Sequence, residues 1–213
     1  MMKKSKRSDV DPFIVMDVME SARIAEEKGK DIIHMEVGQP GTPAPKIAKD
    51  YITNEINKNN LGYTVSLGLP ALRTKISKLY GDWYNLDLNP NRIVVTTGSS
   101  GAFILSFSAL FDSGDRVGIG SPSYPSYRQI LKSLSLETVD IQTKLQNRFQ
   151  PVPDDITNNN LNGILVASPA NPTGSMLDKQ SLENLINTAN ENNVSFISDE
   201  IYHGIQYENN PTS

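Results

Sequence analysis

The chain has 213 residues, 38% of them hydrophobic and 21% charged, with a formal net charge of −4 and no cysteine. An acidic balance excludes nucleic acid as the main partner, because phosphate binding needs a basic excess. The missing cysteines exclude disulfides, thiolate metal sites and cysteine nucleophiles, and no run approaches the ~18 apolar residues that span a membrane.

In chain order, Lys3, Lys4, Lys6 and Arg7 read as a solvated tail. Asp11, Asp17 and Glu20 break the apolar run behind it, so it introduces no signal peptide, and a cytoplasmic location is expected. Asp11-Pro12 followed by Phe13, Val15, Met16, Met19, Ile24 and Ala25 predicts an amphipathic helix ending near Gly29. A short strand is expected over 32–37, then the turn-rich loop Gly38-Gln-Pro-Gly-Thr-Pro-Ala-Pro45. Helical spacing covers 46–57 and 70–84, and Trp83 on the second of these reads as core.

From residue 91 strands and helices alternate. Strands are predicted at 92–96, 116–120, 136–141, 163–167 and 194–198. Helices are predicted at 102–111, 124–134 and 178–192, and Gly98-Ser-Ser-Gly101 reads as a turn. Such alternation implies parallel strands joined by helical crossovers, hence an α/β fold.

Three segments then stand at the carboxyl ends of strands, where open α/β sheets bind ligands. Asp199-Glu-Ile-Tyr202 closes the apolar run 194–198, and Asn171-Pro-Thr-Gly174 follows the run 163–167. Ser121-Pro-Ser-Tyr124-Pro-Ser-Tyr127 follows 116–120. An acid, a phenol and an amide around one point suit a flat heteroaromatic with a basic nitrogen and a phenolic oxygen, and pyridoxal phosphate fits that description. Gly98, Ser99 and Ser100 precede a helix whose free N–H groups and dipole attract anions. Their spacing is not the dinucleotide fingerprint G-x-G-x-x-G. His34 and His203 are isolated, without metal-ligand spacing, so no metal is expected and both read as structural. Lys179, at the start of a polar helix, reads as a surface residue.

Taken together, the chain resembles the class I/II aminotransferases among the fold-type I pyridoxal-phosphate enzymes. The resemblance rests on seven stretches in family order: 37–41, 62–73, 97–102, 114–117, 122–127, 171–174 and 199–202. It implies a large domain with a mainly parallel sheet between helices over 46–213. Residues 1–45 would be an N-terminal arm and small-domain segment.

The resemblance also assigns roles. Asp199 would pair with the pyridine nitrogen, while Asn171 and Tyr202 would bond the ring 3′-oxygen. Tyr124 would stack on the ring, and Gly98, Ser99 and Ser100 would cradle the phosphate. Tyr63 would reach the phosphate of the neighbouring subunit in a homodimer, and Gly38, with Asn171, would contact the substrate carboxylate. Amino acids and 2-oxo acids would be the substrates, with a role in amino-acid biosynthesis.

No lysine occurs after Asp199. The family's Schiff-base lysine follows that segment, so the resemblance implies that these residues are the N-terminal half of a longer enzyme. By themselves they would be inactive, with apolar surface exposed. Two alternatives remain open at this point: a pyridoxal-phosphate β-lyase on the same fold, and a noncatalytic short protein binding pyridoxal phosphate or another phosphorylated ligand.

Overall fold

The computed structural model describes residues 3–38, 41–58, 60 and 62–205. The chain divides into two compact units: residues up to Phe13 together with those from Gly98 onward, and Ile14–Thr97.

The Ile14–Thr97 unit is built on α1 (Ile14–Glu27), α2 (Lys46–Ile56) and α3 (Pro70–Tyr84). Helix α1 stops where the sequence places a glycine. Gly29 takes φ 78°, and the Lys30 N–H bonds back to Ala25 O at 3.1 Å, the wrap that satisfies terminal carbonyls. Proline starts α3, and Asn85 ends it in the left-handed region. The buried residue of α3 is Arg73. Its Nε donates to Pro90 O (3.0 Å) and Ile93 O (2.9 Å), and its Nη2 to Pro90 O (2.7 Å) and Asn91 Oδ1 (3.0 Å). The planar guanidinium thus ties α3 to the 3-10 turn Pro90–Arg92.

Two expected strands in this unit are corrected, because residues 32–37 and 92–96 form no ladder among the described residues. An apolar β-branched run becomes a strand only when a neighbour pairs with its backbone. Here the Val95 N–H instead reaches Leu67 O at 3.0 Å. That approach is close enough that a Cβ on Gly68 (φ +98°) would lie 2.6 Å from Val95 Cβ. Trp83 is corrected too: it is 55% exposed rather than core, since α3 buries Arg73 instead. No residue of α1 or α2 is buried, and Ile47 and Tyr51 are largely exposed, as the expectation of exposed apolar surface has it.

The second unit contains α4 (Gly98–Leu110), β1 (Arg116–Ser121), α5 (Pro125–Ser133) and β2 (Glu137–Gln142). These are followed by α6 (Pro153–Thr157), β3 (Gly163–Ala167), α7 (Lys179–Glu191) and β4 (Ser195–Asp199). The four strands form one parallel sheet in the order β2-β1-β3-β4. Gly98 to Gly101, expected as a turn, is the first turn of α4. The five-residue α6 lies in a stretch too short to show a helical period. Asp155 fastens its start by accepting the Val152 N–H at 2.8 Å.

Side-chain alternation along the strands splits the core into two layers. Val117, Ile119 and Leu165 face Phe103 and Phe107 of α4 and Tyr127 and Leu131 of α5. Ile164 and Val166 face Ile156 of α6 and Leu185 and Ala189 of α7. Covered on both faces, β3 is buried from Gly163 through Val166, which is why its sequence reads as continuous apolar residues rather than alternating ones.

Candidate active site

Parallel strands present all their carboxyl ends on one edge, and the register aligns them. Ala167 pairs with Asp199, so the loops after β3 and β4 leave the sheet side by side. The loop after β1 leaves the same edge.

Asp199 is the last residue of β4 and is 8% exposed. Its Oδ2 accepts a hydrogen bond from the phenol of Tyr127, and its Oδ1 accepts the Ile201 N–H at 3.1 Å. The second bond caps the turn that carries Tyr202. Both donors are neutral, and among the described residues Asp199 has no ion pair. Burial pushes the Tyr127 phenol up, and its bond to Asp199 pushes it further. Tyr127 therefore remains a proton donor throughout the physiological range.

Tyr127 also links the remaining aromatics. Its ring meets Tyr124 edge-on at 5.5 Å and Phe103 at 5.2 Å. Tyr124 is half-buried and meets Phe13 edge-on at 5.8 Å. Phe103 lies in the second turn of α4, so the packing anchors that helix beside the rim. At the helix start Gly98 takes φ +75°, and a Cβ there would meet nothing within 4 Å. The glycine is required by the backbone, not by crowding. Ser99 is half-buried and Ser100 exposed, and their N–H groups belong to the unsatisfied first turn.

After β3, Asn171 Nδ2 points to the Tyr202 hydroxyl at 3.5 Å, the outer limit of a hydrogen bond. The loop is drawn tight on itself: the Gly174 N–H bonds Ala170 O at 2.7 Å, and the Ala170 N–H bonds Ser175 O at 2.9 Å. A concavity beside it is lined by Pro122, Ser123, Tyr127, Gln150, Ala170 and Asn171, among others.

Four of the residues singled out from sequence, Asp199, Tyr202, Asn171 and Tyr124, therefore gather at one rim. Gly38 and Tyr63 belong to the Ile14–Thr97 unit, where Tyr63 is fully exposed. Two residues given no role from sequence, Tyr127 and Gln150, are buried in the rim. Tyr127 stands in the first turn of α5, three residues after the N-cap Tyr124 whose ring it meets; Gln150 left no such signal. Among the described residues no cluster of His, Cys, Asp and Glu is arranged for a metal, and no helix is long and apolar enough to cross a membrane. Lys179 is exposed at the start of α7.

A parallel α/β sheet with a buried acid, an amide and phenols at its carboxyl edge is the architecture of a ligand-binding α/β domain. The family model for aminotransferase class I and II matches residues 30–212, so the chain belongs to that family. The valine–pyruvate aminotransferase of Mycobacterium tuberculosis is 41% identical over 96% of this chain and 53% of its own length. The (5-formylfuran-3-yl)methyl phosphate transaminase of Methanocaldococcus jannaschii is 35% identical over 92% of this chain and 50% of its own. Among solved structures, an aminotransferase from Mycobacterium tuberculosis superposes with TM-score 0.94 at 39% identity, covering 100% of this chain and 56% of that one. The fold is the fold-type I aminotransferase fold. The chain spans about half the length of the curated relatives it matches.

Proposed function

We propose that the protein is a pyridoxal-phosphate-dependent aminotransferase, moving an amino group between an amino acid and a 2-oxo acid in cytoplasmic amino-acid biosynthesis. The observation that carries this reading is the buried carboxylate of Asp199, held at a strand end, among the described residues, by neutral donors only. A buried carboxylate is costly unless a cation joins it, and a protonated ring nitrogen is such a cation. A carboxylate has about four acceptor sites, so after Tyr127 and Ile201 it keeps room for this partner. The residues present thus fit the cofactor.

When bound, the cofactor supplies an electron sink for the substrate's Cα. Asp199 keeps the ring nitrogen protonated, and Tyr127 fixes the orientation of Asp199. Asn171 and Tyr202 hold the 3′-oxygen, Tyr124 covers the ring face, and Gly98, Ser99 and Ser100 hold the phosphate at the start of α4. Gly38 and Asn171 serve the substrate carboxylate. Tyr63 serves the neighbouring subunit's phosphate in a homodimer, which its full exposure supports. In this reading residues 1–45 act as arm and small-domain segment, and 46–213 as the cofactor-binding part. No lysine follows Asp199 among the 213 residues. The roles assigned here are accordingly binding and orienting ones, within the activity of the whole protein.

The name of the Mycobacterium tuberculosis relative supports valine and pyruvate as the first pair to assay. The natively expressed protein is expected to transfer the amino group only when a 2-oxo acid is supplied. Release of ammonia without an oxo-acid acceptor, or failure to bind the cofactor, would overturn the reading.

A further inference from the structure

Gln150 is 3% exposed, and it shares the strand-end rim with the buried polar residues Ser168 and Asp199. Its Nε2 reaches Ala167 O at 3.1 Å, Ser175 O at 3.1 Å and Ser175 Oγ at 3.2 Å. Those acceptors lie on either side of Asn171: Ala167 ends β3, and Ser175 is where the loop turns back. Ser175 O also accepts the Ala170 N–H at 2.9 Å, and Ser175 Oγ lies 2.9 Å from Thr173 Oγ1. Farther along, Ser168 Oγ accepts the Leu177 N–H at 3.0 Å. One side-chain amide, reached from a separate segment, thus closes the neck of the loop that carries Asn171.

The chain before Gln150 is strained in a way that delivers it there. Arg148 and Phe149 both take the left-handed region, with φ 54° and 55°, a conformation costing a non-glycine residue about 1–2 kcal/mol. Consecutive residues held there mark a position that the surrounding structure over-determines, and such positions cluster at functional sites.

We infer that Gln150 is a positioning residue for Asn171, clamping the loop from Ser168 to Leu177 so that the Asn171 amide keeps its place beside Tyr202. The functional part of this inference rests on the cofactor reading above; the clamp does not. An amide suits the task because it gives two N–H donors to carbonyls at both ends of the loop, of which Ser175 O also accepts the Ala170 N–H. Methionine has similar length and no donor, so Gln150→Met removes the clamp with little change of volume. Ser175→Ala removes the hydroxyl acceptor, together with its contact to Thr173 Oγ1, and serves if Gln150→Met does not fold.

Two readouts test it on the full-length protein. The first is amide hydrogen exchange without cofactor. Gln150→Met is expected to speed exchange at Ala170 and Gly174 by roughly tenfold, the scale of one lost hydrogen bond, with β3 and β4 still protected; Ser175→Ala should do the same to a smaller degree. Unchanged exchange at Ala170 in both variants refutes the clamp whatever the cofactor does.

The second is the pH midpoint of the bound cofactor's absorbance. Gln150→Met is expected to move it in the same direction as Asn171→Ala, and the double variant no further than Asn171→Ala alone. A midpoint that moves with Asn171→Ala but not with Gln150→Met refutes the positioning role. A wild-type protein without any cofactor spectrum removes the cofactor reading and this role together, and leaves the exchange result to decide the clamp.

Discussion

The Tyr127 phenol donates to Oδ2 of Asp199 across 72 residues of sequence, with both groups buried. This bond joins α5 to the end of β4 and sets the direction of the buried acid there. In Tyr127→Phe, Asp199 loses a donor without gaining water. A hydrogen bond to a charged group contributes about 1.5–3 kcal/mol, so urea unfolding is expected to show a loss of that size. An unchanged midpoint would mean that the bond contributes nothing net.

Asp199→Ala in the full-length protein tests the proposed role of that carboxylate. On the proposed assignment it should still take up the cofactor, because the phosphate would be held at the start of α4. Turnover should fall roughly 100-fold or more, the scale of losing one preorganised electrostatic partner. Steady-state assays beside a cofactor titration separate the two effects, and full activity would refute the role.

His34 sits between two carboxylates, with Nδ1 2.7 Å from Glu36 Oε1 and Nε2 2.9 Å from Glu26 Oε1. These bonds, Glu36 first, raise its pKa to about 9. A raised histidine pKa stabilises the fold fully below the unfolded value of ~6.5, and that contribution is lost as pH climbs through about 9. The site is open to solvent, so the effect on stability is small. An NMR titration is expected to place the ring's midpoint near 9, and Glu36→Gln should lower it.

Gly163 begins β3, and a Cβ added there would overlap the Phe111 ring. Gly163→Ala is therefore expected to destabilise the protein by about 1–3 kcal/mol through overpacking. Phe111→Leu in the same chain should recover part of the loss. Additive losses in thermal unfolding would show that the two positions do not collide.

Much of this arrangement is legible in the order of the residues alone. The alternation from residue 91 foretells the parallel sheet, and Asp199, Asn171 and Tyr124 each close or follow an apolar run. The two failed strands and Trp83 depend on partners distant in sequence. Residues 32–37 and 92–96 have strand composition, but a ladder needs a partner that composition cannot supply. Trp83 has a core residue's chemistry, yet α3 turns Arg73 inward because Pro90 and Ile93 offer it carbonyls.

Most elements from α4 onward, their parallel sense and the residue types at the strand ends are readable in the order of the residues, because period, turn chemistry and caps act between near neighbours. The strand order β2-β1-β3-β4, the bond from Tyr127 to Asp199 and the contact of Gln150 with Ser175 arise from packing between distant segments. Such contacts join residues tens of positions apart, and they satisfy buried polar groups whose partners exist only once the sheet has assembled.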